Sequence, residues 1–409
     1  MNQINKLKII NDPIYGFITI PSELVFDLIE EPYFQRLRRI TQMGLSNLVY
    51  PGANHTRFHH AIGCLHLMQK AVQVLLFKGV EISDEEEEAL YVAILLHDIG
   101  HGPFSHAMEH SIVEGVSHEW ISLQFMHELN QKFNGKLSLA IQLFQKNHDK
   151  KFLWQLLASQ LDIDRLDYLK RDSFYTGVAE GNINSERIIT MLNVVDNVLV
   201  VEEKGIYSIE KFLVARRLMY WQVYLHKTGL VAEQLLIKML QRAKFLLAKG
   251  KNIQASESLL FFMKNSIDET NFSSSILEKF AQLDDYDVIS AIKIWSTNED
   301  FVLRNLCEMI LNRRLLKIKL KNNPIKKQRI IDQRLRIQEA HKLSEEEASY
   351  FVFSGKTSNI AYQQDRQQIL IYFKNGKIKD VSKASDQLNL RALSKPVIKH
   401  YICYPKSIN

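Results

Sequence analysis

The segment at residues 83–103 defines one helix and the point at which that helix must end. Ser83 followed three residues later by Glu86 is the capping-box pattern of a helix N-terminus, and apolar residues then recur at helical spacing up to His97. Two glycines and a proline lie within the next six residues, so the helix cannot continue. The sequence therefore predicts an apolar helix that presents the pair His97-Asp98 at its C-terminal end.

The rest of the chain divides into three parts. Residues 1–260 show mainly helical patterns, residues 261–345 are helical and basic, and residues 346–409 contain strand-like segments. We therefore expect a mostly α protein, with a helical bundle followed by a smaller basic α/β lobe at the C-terminus.

Several strands and turns are predicted within these parts. Val198–Val201 and Ile206–Ser208 flank Glu-Glu-Lys-Gly, which indicates a small hairpin, and Asn375-Gly376 is a typical hairpin turn. In the last part, the strand-like segments are Tyr350–Phe353, Gln368–Phe373 and His400–Tyr404.

Charge is unevenly distributed. Residues 301–409 contain 22 Lys and Arg against 9 Asp and Glu, whereas residues 1–300 carry a net balance of −7. The stretch Arg313–Arg336 holds ten basic residues and one acid. Such a stretch is typical of a solvated helical surface, and it is also compatible with weak binding of nucleic acid or other phosphates.

The expected compartment is the cytoplasm, and we expect no membrane association. The N-terminus has no apolar stretch of the signal-peptide kind, and the three cysteines are far apart in sequence. The apolar stretch at residues 90–96 is too short to span a membrane.

Histidine is concentrated in one region: ten of the 14 histidines fall between His55 and His127. Imidazole is the commonest protein metal ligand and a near-neutral acid or base. The density of histidines beside carboxylates therefore favours a metal centre or an acid/base site.

Three segments carry this chemistry: residues 54–60, 97–106 and 162–172. A His and Asp from one helix end, joined by His and Asp from others, would form a mixed nitrogen and oxygen shell suited to Mn, Fe, Zn or Mg. In the third segment Asp164, Tyr168 and Asp172 are spaced to share one helix face.

Together these segments resemble the HD-domain metal phosphohydrolases, and more closely the SAM-and-HD-domain dNTP triphosphohydrolase with its bacterial dGTP and dNTP triphosphohydrolase relatives. The resemblance covers roughly residues 6–250 and extends to Lys8–Gly16, Phe34–Arg38 and Pro51–Ala53. No SAM domain fits before Lys8, so we expect the minimal catalytic form. The resemblance implies that a metal-activated water attacks the α-phosphorus of a dNTP and releases deoxynucleoside and intact triphosphate.

The resemblance also implies roles for particular residues. The metal ligands it indicates are His60, His97, Asp98 and Asp164. The acid/base and phosphate-contacting residues it indicates are His101, His106, Glu109 and His118, with His106 protonating the 5′-oxygen and Glu109 orienting it. A second ion, Mg²⁺, is expected to accompany the nucleotide.

Substrate contacts follow from the same resemblance. Arg57 and Arg216 match residues that grip the triphosphate, and Arg165 replaces a family lysine. Contacts to the sugar and its 3′-hydroxyl are expected from Gln42, Tyr168 and Asp172, and Tyr224 is expected to crowd the sugar C2′ and exclude ribonucleotides. Tyr220 and Leu225 replace polar family residues near the nucleobase, which leaves the preferred base open.

A regulatory guanine-nucleotide pocket at a subunit junction is also implied, in a homodimer or tetramer. The matching residues are Lys8, Asn11, Glu30, Gln35, Arg38 and Lys204. Glu202 stands where the family has an Arg, so we expect weaker or altered dependence on the effector.

Two other functions remain open at this point. One is an HD phosphohydrolase acting on a different nucleotide or on nucleic-acid ends, and the other is a nucleic-acid-binding protein that uses the basic C-terminal lobe.

Overall fold

The computed structural model describes residues 8–105, 113, 115–363, 367–386 and 396–406, and these are mostly helical, as predicted. Up to residue 264 the helices are α1 (Glu23–Glu30), α2 (Pro32–Gln35), α3 (Arg57–Phe77), α4 (Asp84–Leu96), α5 (His118–Lys132), α6 (Ser138–Phe144), α7 (Lys151–Leu157), α8 (Ile163–Thr176), α9 (Ser185–Thr190), α10 (Ile206–Met219), α11 (Lys227–Ala248) and α12 (Glu257–Lys264). The later helices are α13 (Ser274–Ala281), α14 (Asp285–Trp295), α15 (Phe301–Leu311), α16 (Lys327–His341), α17 (Glu345–Phe351) and α18 (Val381–Ala384).

Short strands join these helices. They are β1 (Ile9–Asp12), β2 (Gly16–Thr19), β3 (Leu192–Val195), β4 (Val198–Glu202), β5 (Lys317–Lys321), β6 (Phe353–Asn359), β7 (Leu370–Tyr372), β8 (Ile378–Asp380) and β9 (Val397–Tyr404). Within the described residues they form a β1-β2 hairpin, a four-stranded sheet in the order β3-β4-β7-β8 and a three-stranded sheet in the order β5-β9-β6.

Helices α3 and α4 lie at the centre of the molecule. Every residue of α4 from Ala89 to Leu96 is buried, and α3 is buried along most of its length, including Ala61, Leu65 and Met68. Helices buried on all sides need partners on all sides, and α6 and α8 supply two of them. The predicted capping box of Ser83 and Glu86 starts α4, and the helix ends at Leu96, one residue before His97.

The predicted hairpin at residues 198–208 is wrong in its second strand. Strand β4 pairs instead with β3, through a turn at Asp196 and Asn197, whose φ angles of 48° and 62° are typical of a primed hairpin turn. Ile206–Ser208 begins α10, and Gly205 is required there by close packing, because a Cβ would lie 2.6 Å from Val201 Cγ1.

The C-terminal part also differs from prediction at two places. The segment Tyr350–Phe353 is not one strand, because Ser344 and Glu347 form a capping box that starts α17, which continues to Phe351. Within the stretch predicted to be helical and basic, Lys317–Lys321 is a strand. The turn at Asn375-Gly376 joins β7 to β8, as predicted, with Gly376 at φ 81°.

The sheets connect distant parts of the chain. Strand β4 pairs in parallel with β7, and β5 pairs antiparallel with β9. The proposed division at residues 260 and 345 stays a prediction. Among the described residues, no helix is both long and apolar enough to cross a bilayer.

Candidate metal centre and active site

The four predicted metal ligands come from three helix ends that meet in space. His60 lies in the first turn of α3, His97 and Asp98 follow the end of α4, and Asp164 lies in the first turn of α8. His60 Nε2 lies 3.2 Å from Asp164 Oδ1 and 3.8 Å from Asp98 Oδ2. His97 Nε2 lies 3.4 Å from Asp98 Oδ1 and 3.8 Å from Asp164 Oδ1. Two nitrogens and two carboxylates therefore converge on one point.

The cluster attracts positive charge. Burial by itself would lower the pKa of His60, but the hydrogen bonds that its ring donates to Asp164 and Asp167 hold that pKa well above its usual value. Burial would likewise raise the pKa of Asp164, yet His60 and His97 keep it well below the usual range. The carboxylates are therefore ionised, and a cation that binds there competes with protons for the imidazole nitrogens.

The donor set fits a divalent ion. Nδ1 of His97 lies 2.7 Å from the carbonyl oxygen of Ile94, which fixes the ring and aims Nε2 at the cluster. That Nε2 is buried and has no hydrogen-bond partner among the described residues, as expected of a ligand atom. Mixed imidazole and carboxylate donors suit Mn, Fe, Zn or Mg.

Cys64 also lies near the histidines and, by its position, could form a nitrogen and sulfur group with His60 and His97. Its Sγ is 3.6 Å from both ring nitrogens of His60, so the sulfur packs against the face of the imidazole. Burial raises the pKa of this thiol well above its usual value. A thiol kept protonated is a poor metal ligand, so the carboxylate set is the better centre.

The predicted acid/base residues are placed in part. His101 Nε2 lies 3.3 Å from Asp98 Oδ1, and the His101 ring stacks on that of His118 at 3.8 Å between centroids. Both rings therefore lie beside Asp98, one of the predicted metal ligands. His106 and Glu109 lie outside the described residues.

The two arginines predicted to bind phosphate are both buried. Arg57 Nη1 donates to Asp98 Oδ2 at 2.7 Å, and Nη2 donates to Ser105 Oγ at 3.3 Å. Arg216, in the last turn of α10, is buried, and its Nε and Nη1 have no hydrogen-bond partner within the described segments. A buried guanidinium with free donors is suited to an anion.

Arg165 is engaged by a neighbouring carboxylate. Its guanidinium forms an ion pair with Asp162, the N-cap residue of α8. Burial would lower the pKa of Arg165, but Asp162 raises it, so the group stays charged.

Three of the predicted sugar contacts, Tyr168, Asp172 and Tyr224, lie together at α8. The hydroxyl of Tyr224 donates to Asp172 Oδ2 at 2.8 Å, and the Tyr224 ring meets those of Tyr168 and Tyr220 edge-on, with centroid distances of 6.0 and 5.2 Å. Tyr220 and Tyr224 bound a π-helical turn that follows α10. The main-chain N–H of Gln42 donates to the His55 carbonyl at 2.9 Å, and its side-chain Oε1 is buried and unpartnered among the described residues.

The predicted effector residues are only partly brought together. Arg38 Nε donates to Gln35 Oε1 at 2.8 Å, and the Arg38 guanidinium lies 3.5 Å over the ring of Phe58. Burial lowers the pKa of Arg38, and the nearby carboxylate of Glu30 opposes that shift. The remaining predicted effector residues are Lys8, before β1, Asn11 in β1 and Lys204 in a 3₁₀ turn. The main-chain carbonyl of Lys204 accepts from Arg187 Nη2 at 3.5 Å.

Three residues of the site carried no predicted role. Asp167 accepts from the ring of His60 and is itself bound by Arg171. His55 Nε2 lies 2.8 Å from Asp172 Oδ1, opposite Tyr224. The sequence signal for Asp167 was its position one helical turn after Asp164, on a neighbouring part of the same face.

Comparison with known proteins identifies the family. Residues 57–172 match the HD domain and residues 183–257 match the HD-associated region. An uncharacterized protein of Bacillus subtilis, YwfO, is 31% identical over 99% of this chain and 94% of its own length. The crystal structure of a phosphohydrolase from Bacteroides thetaiotaomicron is 52% identical, with a TM-score of 0.95 over 98% of this chain and 100% of that chain.

A relative with a named activity aligns over a shorter range. A Dictyostelium discoideum homolog of the deoxynucleoside triphosphate triphosphohydrolase SAMHD1 is 33% identical over 54% of this chain and 46% of its own length. The chain thus spans about half the length of that relative. Because YwfO and the Bacteroides phosphohydrolase align along almost the whole chain and the HD-domain match contains all four predicted ligands, this protein belongs to the HD-domain phosphohydrolases and is a hydrolase.

Proposed function

We propose that the protein is a deoxynucleoside triphosphate triphosphohydrolase. The observation that carries the proposal is the placement on α8 of Asp164, one of the four metal residues, and of Asp172, which accepts from Tyr224. These two carboxylates are eight residues apart, or about 12 Å along a helix, which suits a triphosphate and a sugar laid end to end. The likeness to SAMHD1 proteins supports the same substrate class.

The metal residues are His60, His97, Asp98 and Asp164. A divalent ion bound by them would lower the pKa of a bound water and neutralise phosphate charge. Arg57 and Arg216 bind phosphate oxygens, because their planar guanidinium groups match phosphate bidentately. His101 lies 3.3 Å from Asp98 and stacks on His118, so both imidazoles would contact the phosphates beside the metal residues.

Release of the nucleoside needs a proton on its 5′-oxygen, because an alkoxide is a poor leaving group. We assign that proton to His106, oriented by Glu109. The chain's other residues act on the sugar: Asp172 accepts from the 3′-hydroxyl, and the Tyr224 ring leaves no room for a 2′-hydroxyl.

The test is product analysis by anion-exchange chromatography after incubation with each dNTP and rNTP in Mn²⁺ or Mg²⁺. The proposal expects triphosphate and deoxynucleoside in equal amounts from dNTPs. Pyrophosphate with a monophosphate, or free phosphate alone, would instead support an HD phosphohydrolase of another kind. The Asp164→Ala variant controls for contaminating phosphatases.

Regulation by a guanine nucleotide is a separate proposal. A pocket formed by Lys8, Asn11, Glu30, Gln35 and Arg38 would bind guanine through Glu30 and Arg38. Glu202 is the residue expected to repel the effector phosphates. Its carboxylate forms an ion pair with Lys78 Nζ at 2.7 Å, which offsets part of its negative charge. Hydrolysis of dATP with and without GTP or dGTP, and with Arg38→Ala, tests this, while light scattering reports whether the nucleotide assembles dimers or tetramers.

The basic sheet face favours a second function, weak binding of single-stranded nucleic acid. Lys317, Lys319 and Lys321 alternate along β5 as exposed residues, and the strand register aligns Lys321 with His400 and Lys356 across the sheet. Phosphate contacts would give binding that weakens steeply with salt. Fluorescence anisotropy of labelled single-stranded DNA across a salt series, with Lys319→Glu for comparison, tests it, and binding that is unchanged by salt or by that variant would remove the proposal.

A further inference from the structure

A buried chain of hydrogen-bonded charges connects the metal ligand His60 to the first hairpin. His60 Nδ1 lies 2.7 Å from Asp167 Oδ2. Arg171 donates to both oxygens of Asp167, from Nε at 2.8 Å and from Nη2 at 2.9 Å. The remaining nitrogen, Nη1, donates to Asp12 Oδ2 at 2.8 Å, and Asp12 ends β1.

Each bond in the chain restricts the one before it. An ionised carboxylate only accepts hydrogen bonds, so Nδ1 of His60 donates to Asp167, and Nε2, which faces Asp164, is the ring nitrogen left for a metal ion. Because Arg171 holds both oxygens of Asp167, that carboxylate cannot rotate away from the imidazole. Asp12 is fixed in turn, since its Oδ1 accepts from the main-chain N–H groups of Ile14 and Tyr15.

This chain of hydrogen-bonded charges lies in the protein core and is not a surface ion pair. The side chains of His60, Asp167 and Arg171 are all 0% exposed, and that of Asp12 is 2% exposed. Helix α3 makes room for it with Gly63, where a Cβ would lie 2.1 Å from Arg171 Nη2 and 2.2 Å from Asp167 Oδ1. Two carboxylates against one guanidinium leave one net negative charge behind the imidazole, which makes Nε2 a stronger donor to a cation.

We infer that Asp167 and Arg171 are positioning residues for the metal ligand His60, and that Asp12 anchors them to the β1–β2 hairpin. The inference rests on the metal centre of the proposed function and not on its substrate. It also places the hairpin that contains Asn11, a proposed effector residue, in hydrogen-bonded connection with the metal site.

The experiment measures metal binding directly. Apoprotein is titrated with Mn²⁺, with free Mn²⁺ followed by electron paramagnetic resonance, and the Co²⁺ form is examined by its ligand-field absorption spectrum. Asp167→Asn should weaken Mn²⁺ binding by roughly 10- to 100-fold, because loss of an outer-shell partner typically costs that much affinity. The Co²⁺ spectrum should change as well, since the orientation of one ligand changes.

Asp167→Asn leaves the buried guanidinium of Arg171 with one partner fewer, so the variant alone could fail to fold. The double variant Asp167→Asn/Arg171→Gln replaces the ion pair with neutral amides, and Asp12 keeps its hydrogen bonds from the main-chain N–H groups of Ile14 and Tyr15. The matched control is Asp300→Asn, which breaks another two-bond Arg–Asp pair, that of Arg242 with Asp300, outside the metal site. Its Mn²⁺ affinity and Co²⁺ spectrum should equal those of the parent.

A folded double variant that binds Mn²⁺ as tightly as the parent, with an unchanged Co²⁺ spectrum, would overturn the inference. Weakened binding in the double variant together with parent-like binding in Asp300→Asn supports it. Neither result depends on which nucleotide is hydrolysed, so failure here and failure of the proposed substrate are separate outcomes.

Discussion

The hydroxyl of Tyr224 donates a hydrogen bond of 2.8 Å to Asp172, a residue on the same face of α8 as Asp164, one of the predicted metal ligands. The Tyr224 ring, in the turn that follows α10, and the Asp172 carboxylate, from α8, are thus held against each other. His55 holds the other oxygen of Asp172 at 2.8 Å, so the carboxylate is fixed from both sides.

Sugar selection should depend on the Tyr224 ring. Tyr224→Ala is expected to narrow the ratio of dNTP to rNTP hydrolysis by roughly tenfold or more, because it opens space for a 2′-hydroxyl. Tyr224→Phe keeps the ring and should keep the ratio, while raising KM through loss of the hydrogen bond to Asp172. Steady-state kinetics on dGTP and GTP measure both, and equal rates on the two nucleotides for the parent protein would contradict the assignment.

Metal content should depend on the carboxylate of Asp98. Asp98→Ala removes an oxygen that lies 3.4 Å from His97 Nε2 and should lose both the bound ion and hydrolysis. Metal analysis after dialysis against a chelator-free buffer gives the stoichiometry, and circular dichroism checks that the fold is kept. A variant with full metal and full turnover would show that the centre lies elsewhere.

Gly63 should tolerate no side chain. Gly63→Ala puts a Cβ within 2.2 Å of both Arg171 and Asp167, and overpacking of this kind costs about 1–3 kcal/mol. Gly229→Ala is the matched control, because Gly229 lies in α11 and a Cβ there has no neighbour within 4 Å among the described residues. The control should be neutral or stabilising by up to about 1 kcal/mol, as measured by urea unfolding.

The prediction is that Gly63→Ala lowers the urea concentration at which the protein unfolds and that Gly229→Ala does not. If Gly63→Ala unfolds at the same urea concentration as the parent, the close approach of Arg171 to α3 is wrong.

Stability should vary with pH through Asp285. Burial raises the pKa of Asp285 to about 6, even though Thr41 and Phe104 donate hydrogen bonds to its carboxylate. The folded protein therefore holds a proton that the unfolded chain releases near pH 4, so this contribution is complete below pH 4 and is lost as pH rises through 6. The loss amounts to roughly 3 kcal/mol.

The measurement is the free energy of unfolding in urea from pH 4.5 to 7, for the parent and for Asp285→Asn. Their difference should change in favour of the variant as pH rises, because the amide does not titrate. A difference that is constant across this range would contradict the raised pKa.

Much of the fold could be predicted because its signals are local. The capping box at Ser83, the end of α4 before His97 and the turn at Gly376 all depend on residues a few positions apart. Two of the three errors arose where two local signals competed. Asp196-Asn197 forms the turn, although Gly205 indicated a turn further along, and Ser344 starts a helix in a segment rich in strand-forming residues.

The proposed metal ligands were predicted from a resemblance, whereas the residues that hydrogen-bond to them were not predicted. Asp12 and Arg171 are 159 residues apart in sequence, and no periodicity relates them. Only the packing of β1 against α8 brings the two charges together, and packing between distant segments is what a single sequence leaves open. The same holds for Asp285, which binds Thr41 from 244 residues away.

The central claim is that a dNTP is cleaved between its α-phosphorus and its 5′-oxygen. Hydrolysis of dGTP in ¹⁸O-labelled water, followed by ³¹P NMR and mass spectrometry, tests this directly. The account predicts one ¹⁸O atom in inorganic triphosphate and none in deoxyguanosine. Release of pyrophosphate or monophosphate, or ¹⁸O in the nucleoside, would contradict it.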